Sequence, residues 1–128
     1  MMSKEKQRLI KKLDKVFSLY IRKRDSDDGA FYCCSCRQWK PDDQADAGHY
    51  INRSHMATRW REDNVHSQCR KCNRFEEGNA AGYTIFMLQR YGYPRIELLA
   101  AMSRETANWS ESDLELMIKD YQKRYLLL

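Results

Sequence analysis

A chain of 128 residues is long enough for a single domain with one modest core, here expected to span 1–128, and too short for a second independent core. Charged residues make up 32% of the sequence, but 42% of the residues are hydrophobic, which argues against wholesale disorder. The net charge of +5 fits a nucleic-acid partner without establishing one.

The sequence contains no apolar run of the roughly 18 residues that a membrane span requires. It begins with charged residues and not with the apolar core of a signal peptide, so we expect a cytoplasmic protein with no membrane partner. Five cysteines in such a compartment indicate metal binding or reactive thiols before disulfides.

Residues 3–24 are predicted to form one basic amphipathic helix that ends at the polar segment 25–29. Apolar side chains recur along it at helical spacing, from Leu9 through Leu13 to Tyr20. The opposite face is either a solvated surface or a face that contacts phosphates, and its members are Lys4, Lys11, Lys12, Lys15 and Arg22.

The centre of the chain, residues 30–79, holds the cysteines among short elements. These elements are, in order, a strand at 31–32, a turn at 41–43, a strand around 49–51 and a strand over 65–68. A helix is expected to begin at Asn73 and to stop near Gly78.

The remainder, residues 80–128, is predicted to be helical. One helix covers 83–91 and is closed by Gly92, and a second follows it. The last helix spans about 113–126, after an N-cap at Ser110 with acidic residues in the first turn.

Two C-x2-C pairs, Cys33 with Cys36 and Cys69 with Cys72, have the spacing of a zinc site. Four thiolates close the coordination of the ion, which is typical of structural Zn²⁺ whose binding energy adds to folding. Cys34 is left over, and it either replaces Cys33 as a ligand or packs as a small apolar residue. No βαβ context surrounds either pair, which disfavours a redox-active motif.

The residues between the cysteine pairs form a recognisable pattern. His49 precedes Asn64 by fifteen residues, and Asn64 precedes Asn73 by nine. The sequence here resembles the HNH, or ββα-metal, endonucleases in a His-Asn-Asn version. More narrowly, Asp46-Ala47-Gly48-His49-Tyr50, Asn64-x-x-x-Gln68-Cys69-x-x-Cys72-Asn73 and Gly78-Asn79 are similar to the NinG/Rap recombination endonucleases of lambdoid phages, over about residues 30–92.

The resemblance implies an α+β fold in which a small zinc-braced ββα-metal centre is flanked by N- and C-terminal helices. It implies that His49 is the general base that activates water and that Asn64 orients the His49 ring through a hydrogen bond. Asn73 would bring its amide oxygen to a catalytic Mg²⁺ or Mn²⁺ ion, since both prefer hard oxygen ligands.

One position departs from the pattern. In the HNH endonucleases, the residue before the catalytic His is usually a metal-binding Asp or His. In this sequence it is Gly48. Asp46 is the first candidate for the missing ligand, if the strand is kinked at Gly48, and Glu77 is the second.

Basic residues on both sides of the proposed site suit phosphate contacts that position DNA without reading its bases. They are Arg53, Arg59, Arg61, Arg70, Lys71 and Arg74. Trp60 either belongs to the core or stacks at a DNA junction. His55 is a possible DNA contact, and His66 is expected to pack beside the site.

The resemblance implies a divalent-metal-dependent DNA endonuclease that cuts branched recombination intermediates in a phage or prophage. Two other functions stay open: a zinc-organised DNA-binding module without catalysis, for which Gly48 is the best argument, and an adaptor that binds a protein. A homodimer is compatible with the sequence.

Overall fold

The computed structural model describes residues 2–128 as four longer helices around five short strands. Two short helical turns separate strands from their neighbours, Asp42–Gln44 before the fourth strand and Lys71–Phe75 after the fifth. The elements are α1 (Lys4–Arg24), β1 (Ser26–Asp27), β2 (Ala30–Tyr32), β3 (Trp39–Pro41), β4 (Ala45–His49), β5 (Val65–Cys69), α2 (Ala80–Arg90), α3 (Tyr93–Ser103) and α4 (Glu111–Leu127).

The strands form two separate antiparallel sheets. One has the order β1-β2-β3, and the other consists of β4 and β5. In the second sheet Ala45 pairs with Cys69 and His49 pairs with Val65, without a break between them. The sheet therefore carries a cysteine at one end and His49 at the other.

The largest core lies where α1 and α4 pack on this second sheet. Leu13 and Ile21 of α1, Val65 of β5 and Leu114 of α4 are all fully buried there. The rings of Phe17 and Tyr121 meet edge to face, with their centroids 4.8 Å apart. The apolar face predicted for the first helix thus holds α1 against the sheet that bears His49.

Most predicted helices are confirmed. The capping box at the start of α4 is present, with Asp113 N–H donating to Ser110 Oγ and Ser110 N–H donating to the Asp113 carboxylate. Between α2 and α3, Gly92 has a positive φ of 85°, a conformation that glycine adopts at little cost.

Two central predictions are wrong in detail. The strand expected around 49–51 is β4, which ends at His49 and does not continue into Ile51. The helix expected to begin at Asn73 is the single wide turn Lys71–Phe75, closed by a hydrogen bond from Glu76 N–H to the Lys71 carbonyl. Strands β1 and β3 are too short to show an alternating pattern and were not predicted.

Along residues 2–128 no helix combines the length and the apolar character needed to cross a bilayer.

Candidate metal centre and cleft

The four predicted zinc ligands come together from two segments of the chain, each next to a strand. The segment after β2 supplies Cys33 and Cys36, while Cys69 ends β5 and Cys72 lies in the turn that follows. Their ligand atoms all lie within 4.8 Å of one another. The four cysteines could therefore bind a structural metal such as zinc.

The sulfur spacing tests this fit. A tetrahedral zinc ion with bonds of about 2.3 Å holds its sulfurs about 3.8 Å apart, and the Sγ atoms of Cys36 and Cys69 are 3.9 Å apart. Cys69 N–H donates to Cys33 Sγ at 3.3 Å, and Asn79 Nδ2 donates to Cys72 Sγ at 3.5 Å. Donors aimed at sulfur stabilise the thiolates that a metal requires.

Cys34 lies outside this cluster. Its side chain is buried with Tyr83, Met87 and Leu99 in the core between α2 and α3. Burial raises the pKa of the Cys34 thiol well above its ordinary value. Of the two roles left open by the sequence, the structure places Cys34 in the apolar one.

Next to the cysteine cluster, a cleft of about 510 Å³ lies between α1, the end of β4 and the turn Lys71–Phe75. His49 and Asn73 both line it, as do Glu77 and Arg53. The structure therefore brings the predicted general base and the predicted amide ligand to one cavity.

The hydrogen bonding of His49 determines which ring nitrogen is free. Nε2 lies 2.8 Å from the Arg59 carbonyl oxygen, which can only accept, so Nε2 carries the proton and Nδ1 carries the lone pair. Burial lowers the pKa of His49 below its ordinary value near 6.5. The ring is therefore neutral at pH 7 and is suited to accept a proton at Nδ1.

Helix α1 holds the loop that makes this contact. The Asp14 carboxylate accepts from the Arg59 guanidinium and, at 3.0 Å, from Trp60 Nε1. In the sequence, Asp14 stands out only as an acid among the lysines of α1. Trp60 is 7% exposed, so it belongs to the core and is not free to stack on DNA.

The prediction that Asn64 orients the His49 ring through a direct hydrogen bond is wrong. Its side chain does not bond to His49 but is fully buried and ties the loop together. Oδ1 accepts from Ile51 N–H at 2.9 Å, and Nδ2 donates to the carbonyls of Ile51 and Thr58, each at 3.1 Å. Asn64 thus fixes the residue next to Arg59, and acts on His49 only through the loop.

Asp46 lies away from His49. β4 pairs continuously through Gly48, so the strand is not kinked there, and residues three apart point to opposite faces. The Asp46 carboxylate accepts from Asn73 Nδ2 at 3.0 Å and from two nitrogens of Arg74 at 2.9 Å. This contact occupies the nitrogen of the Asn73 amide and leaves its oxygen available. Of the two carboxylates proposed as the missing ligand, Glu77 lines the cleft and Asp46 does not.

Gly48 has no room for a side chain. A Cβ atom at this position would lie 2.0 Å from Gln68 Oε1 and 2.9 Å from Gln68 Cβ, on the neighbouring strand. Gln68 is itself fixed, since its Nε2 donates at 2.7 Å to both Ser35 Oγ and the Gly78 carbonyl. The departure from the family pattern at Gly48 thus has a local packing cause.

We expect Gly48→Ala to destabilise the fold by about 1–3 kcal/mol, the usual cost of overpacking a filled site. Urea unfolding followed by circular dichroism measures the change. The same substitution in a Gln68→Ala background should cost less, because the nearest clashing atom is gone. An equal cost in both backgrounds would show that Gln68 is not the obstacle.

His66 packs beside the site, as expected, and forms hydrogen bonds with the hydroxyl groups of two tyrosines. Tyr83 Oη donates to the Gly48 carbonyl at 2.8 Å, so it accepts from His66 Nδ1–H at 3.0 Å. His66 Nε2 then accepts from Tyr91 Oη at 2.6 Å. Burial lowers the pKa of His66 to about 3, so this ring stays neutral. The two tyrosines, which the sequence did not single out, hold the backbone just before His49.

The predicted DNA-binding residues differ in their exposure and in whether a carboxylate already holds them. Arg59 is held by Asp14, and Arg61 forms a pair with Asp63 at 2.8 Å. Lys71 and Arg74 keep 76% and 56% of their side-chain surface exposed, although each contacts one carboxylate. Arg53 lines the cleft. His55 is exposed, and its Nδ1 lies 3.2 Å from the Ser103 carbonyl.

A second groove, of about 420 Å³, adjoins the cleft and shares Asn73 with it. Three arginines line this groove: Arg22 of α1, Arg70 and Arg74. Arg22 was noted only as part of a basic helix face, because its approach to Arg70 is a tertiary contact. We refer to this feature below as the arginine groove.

Comparison with known proteins identifies the family. The family model described as Bacteriophage Lambda NinG protein matches residues 1–128. Protein ninG of Salmonella phage P22 and that of Escherichia phage lambda are each 27% identical to the chain over 121 residues, covering 90% of this chain and 55% and 54% of those proteins. Protein ninG of Enterobacteria phage H19B is 30% identical over 89 residues, covering 69% of this chain and 42% of that protein.

The chain therefore spans about half the length of the curated relatives it matches. No solved structure matches it. The family model covers the whole chain, in agreement with the narrower of the two resemblances seen in the sequence, and the chain belongs to the NinG family of bacteriophage proteins.

Proposed function

We propose that this chain is a DNA endonuclease of the HNH type, dependent on a divalent metal, that hydrolyses phosphodiester bonds in branched recombination intermediates. One observation carries the proposal: His49 lines a cleft with its Nε2 proton committed to the Arg59 carbonyl, so that Nδ1 is the basic atom. The order of elements supports it, because two antiparallel strands and a helical turn place His49 and Asn73 at one cavity.

In this proposal His49 Nδ1 takes the proton of the attacking water. The imidazolium that forms keeps its Nε2–H bond to the Arg59 carbonyl, which stabilises the new charge. Arg59 is held by Asp14, and the adjacent Thr58 carbonyl is held by Asn64. The loop therefore presents a preorganised acceptor to the ring.

Mg²⁺ or Mn²⁺ would stabilise negative charge on the phosphate and on the leaving oxygen. The donor set in the cleft fits such an ion, because the Asn73 amide oxygen and the Glu77 carboxylate are hard oxygen ligands. Asp46 would act by orienting the Asn73 amide through its nitrogen. The four-cysteine cluster would hold structural Zn²⁺ and fix the Cys69 end of β5.

Cleavage assays test the proposal. Supercoiled DNA, linear duplex and a four-way junction are incubated with the chain, with and without added Mg²⁺ or Mn²⁺. We expect cleavage only with the added ion, and fastest on the junction. Junction binding without cleavage under all conditions would favour the non-catalytic DNA-binding module, and the absence of DNA binding would favour the protein adaptor.

Arg70→Ala and Arg74→Ala are each expected to weaken binding to every DNA sequence. Loss of one phosphate contact should reduce the slope of log K against log salt concentration by about 1. Titration at several salt concentrations measures this slope. Lys119→Ala, a change on an exposed face of α4, is the control and should leave the slope unchanged. Unchanged slopes in both arginine variants would place the DNA on another face.

A further inference from the structure

We propose that Phe75 is a stacking residue that inserts against an unpaired or unstacked base of the bound DNA. The inference rests on the proposed function, since it names the feature of branched DNA that the site recognises. Phe75 is 80% exposed, the highest exposure of any large apolar side chain among residues 2–128. No other aromatic ring of the described chain stacks on it.

The position of Phe75 connects it to the cleft. It ends the turn that carries Asn73, two residues earlier, and Asn73 lines both the cleft and the arginine groove. Two residues span at most about 7 Å of backbone, and successive bases rise about 3.4 Å along a strand. A strand whose phosphate reaches Asn73 therefore has a base within about two nucleotides of Phe75.

The surroundings of Phe75 favour DNA over an apolar partner. Arg70, Lys71 and Arg74 lie within the five residues that precede Phe75. Arg22 of α1 lines the arginine groove together with Arg70 and Arg74. Carboxylates balance part of this charge, since Asp46 pairs with Arg74 and Glu76 lies 3.8 Å from Lys71. Arg22 and Arg70 form no ion pair in the described chain. Arg22 Nε donates to Ser18, and the other guanidinium N–H groups of Arg22 and Arg70 can contact phosphates that flank a base on the Phe75 ring.

An exposed ring selects for DNA whose stack is open. In continuous duplex DNA, neighbouring bases cover both faces of each base. An inserted apolar side chain must therefore first unstack two bases, which costs free energy. At a junction, bulge or single strand a base face is already available, and aromatic stacking adds to binding for any base type. Phe75 therefore supplies a preference for branched DNA without reading a sequence. Trp60, the other candidate for this role, is buried.

Binding to a three-way junction with 2-aminopurine at the branch point tests the inference. Without added Mg²⁺, the wild-type chain is compared with Phe75→Ala, Phe75→Trp and the control Tyr93→Ala, an equally aromatic side chain that is 62% exposed on α3. The same probe in linear duplex provides the reference DNA.

We expect Phe75→Ala to lose about 5- to 150-fold in junction affinity, the usual value of one stacked base, and to abolish the change in 2-aminopurine fluorescence. Its duplex affinity should change little, while Phe75→Trp and Tyr93→Ala should behave like the wild type. Unchanged junction affinity of Phe75→Ala, or equal losses on junction and duplex, would overturn the inference.

The two proposals fail separately. If the chain cuts DNA with Mg²⁺ but Phe75→Ala binds the junction as the wild type does, the nuclease proposal stands and the stacking role is wrong. If junction binding depends on Phe75 but no condition gives cleavage, the stacking role stands and the nuclease proposal is wrong.

Discussion

Replacing His49 with alanine is expected to lower the rate of DNA cleavage about 10²–10⁴-fold, the usual contribution of a positioned general base. The reason is that Nδ1 of His49 is the atom we assign to accept the proton of water, and alanine offers no acceptor. DNA affinity and zinc content should hardly change, since His49 is neither in the arginine groove nor in the cysteine cluster. Initial rates on a junction substrate measure the loss.

Asn73→Ala is the matched comparison. It removes an amide oxygen from the cleft and leaves the base in place, so part of its loss should be recovered at high Mg²⁺ or Mn²⁺ concentration. His49→Ala should show no such recovery. Cleavage at the wild-type rate by His49→Ala would refute the HNH assignment, and the four-cysteine unit would then serve as a binding scaffold.

The pH profile gives an independent check on the same residue. Burial lowers the pKa of His49 below 6.5, so the neutral, basic form predominates at pH 7 and persists into mildly acidic solution. The wild-type rate should therefore be level near pH 7 and should fall only as the pH drops below about 6.5. The residual rate of His49→Ala should lack this fall.

Cys69→Ser is expected to remove the metal and unfold the domain. Binding of structural zinc contributes on the order of 10–16 kcal/mol in small zinc domains, which matches or exceeds the 5–15 kcal/mol of net stability of a typical domain. Cys69 also ends β5, where it pairs with Ala45, so its loss reaches the strand that carries His49. Zinc content and thermal unfolding by circular dichroism measure the effect.

Cys34→Ser is the control for this experiment. It places a hydroxyl in the apolar core beside Tyr83 and should cost roughly 1–3 kcal/mol. Zinc content should stay at the wild-type level, because Cys34 lies outside the cluster. Equal loss of zinc from Cys34→Ser and Cys69→Ser would show that the ligand set is wrong.

Features that depend on local sequence could be predicted directly. Three such features depend on residues close together in the sequence, and the structure contains all three. They are the amphipathic repeat of α1, the N-cap at Ser110 and the helix end at Gly92. The C-x2-C spacing likewise confines two sulfurs to one turn, so the four-cysteine cluster follows from the pattern.

The contacts of the site residues could not be predicted, because each depends on groups far apart in the chain. His49 bonds to the carbonyl of a residue ten positions away, and that residue is held in turn by Asp14 of α1. Asn64 has the spacing of a residue that orients the ring, yet its position in the loop directs its amide to backbone groups. Spacing along a chain does not determine which of several nearby acceptors a side chain reaches.

The sequence by itself determined the family, the grouping of the four cysteines and the placement of His49 and Asn73 at one cleft, because these depend on motifs whose members are close together or regularly spaced. Tertiary structure alone decided the tautomer of His49, the ion pair between Arg59 and Asp14, the burial of Trp60 and the exposure of Phe75. Hydrogen-bond partners, ion pairs and burial arise only when α1 packs on the sheet of β4 and β5, which brings side chains more than forty residues apart into contact.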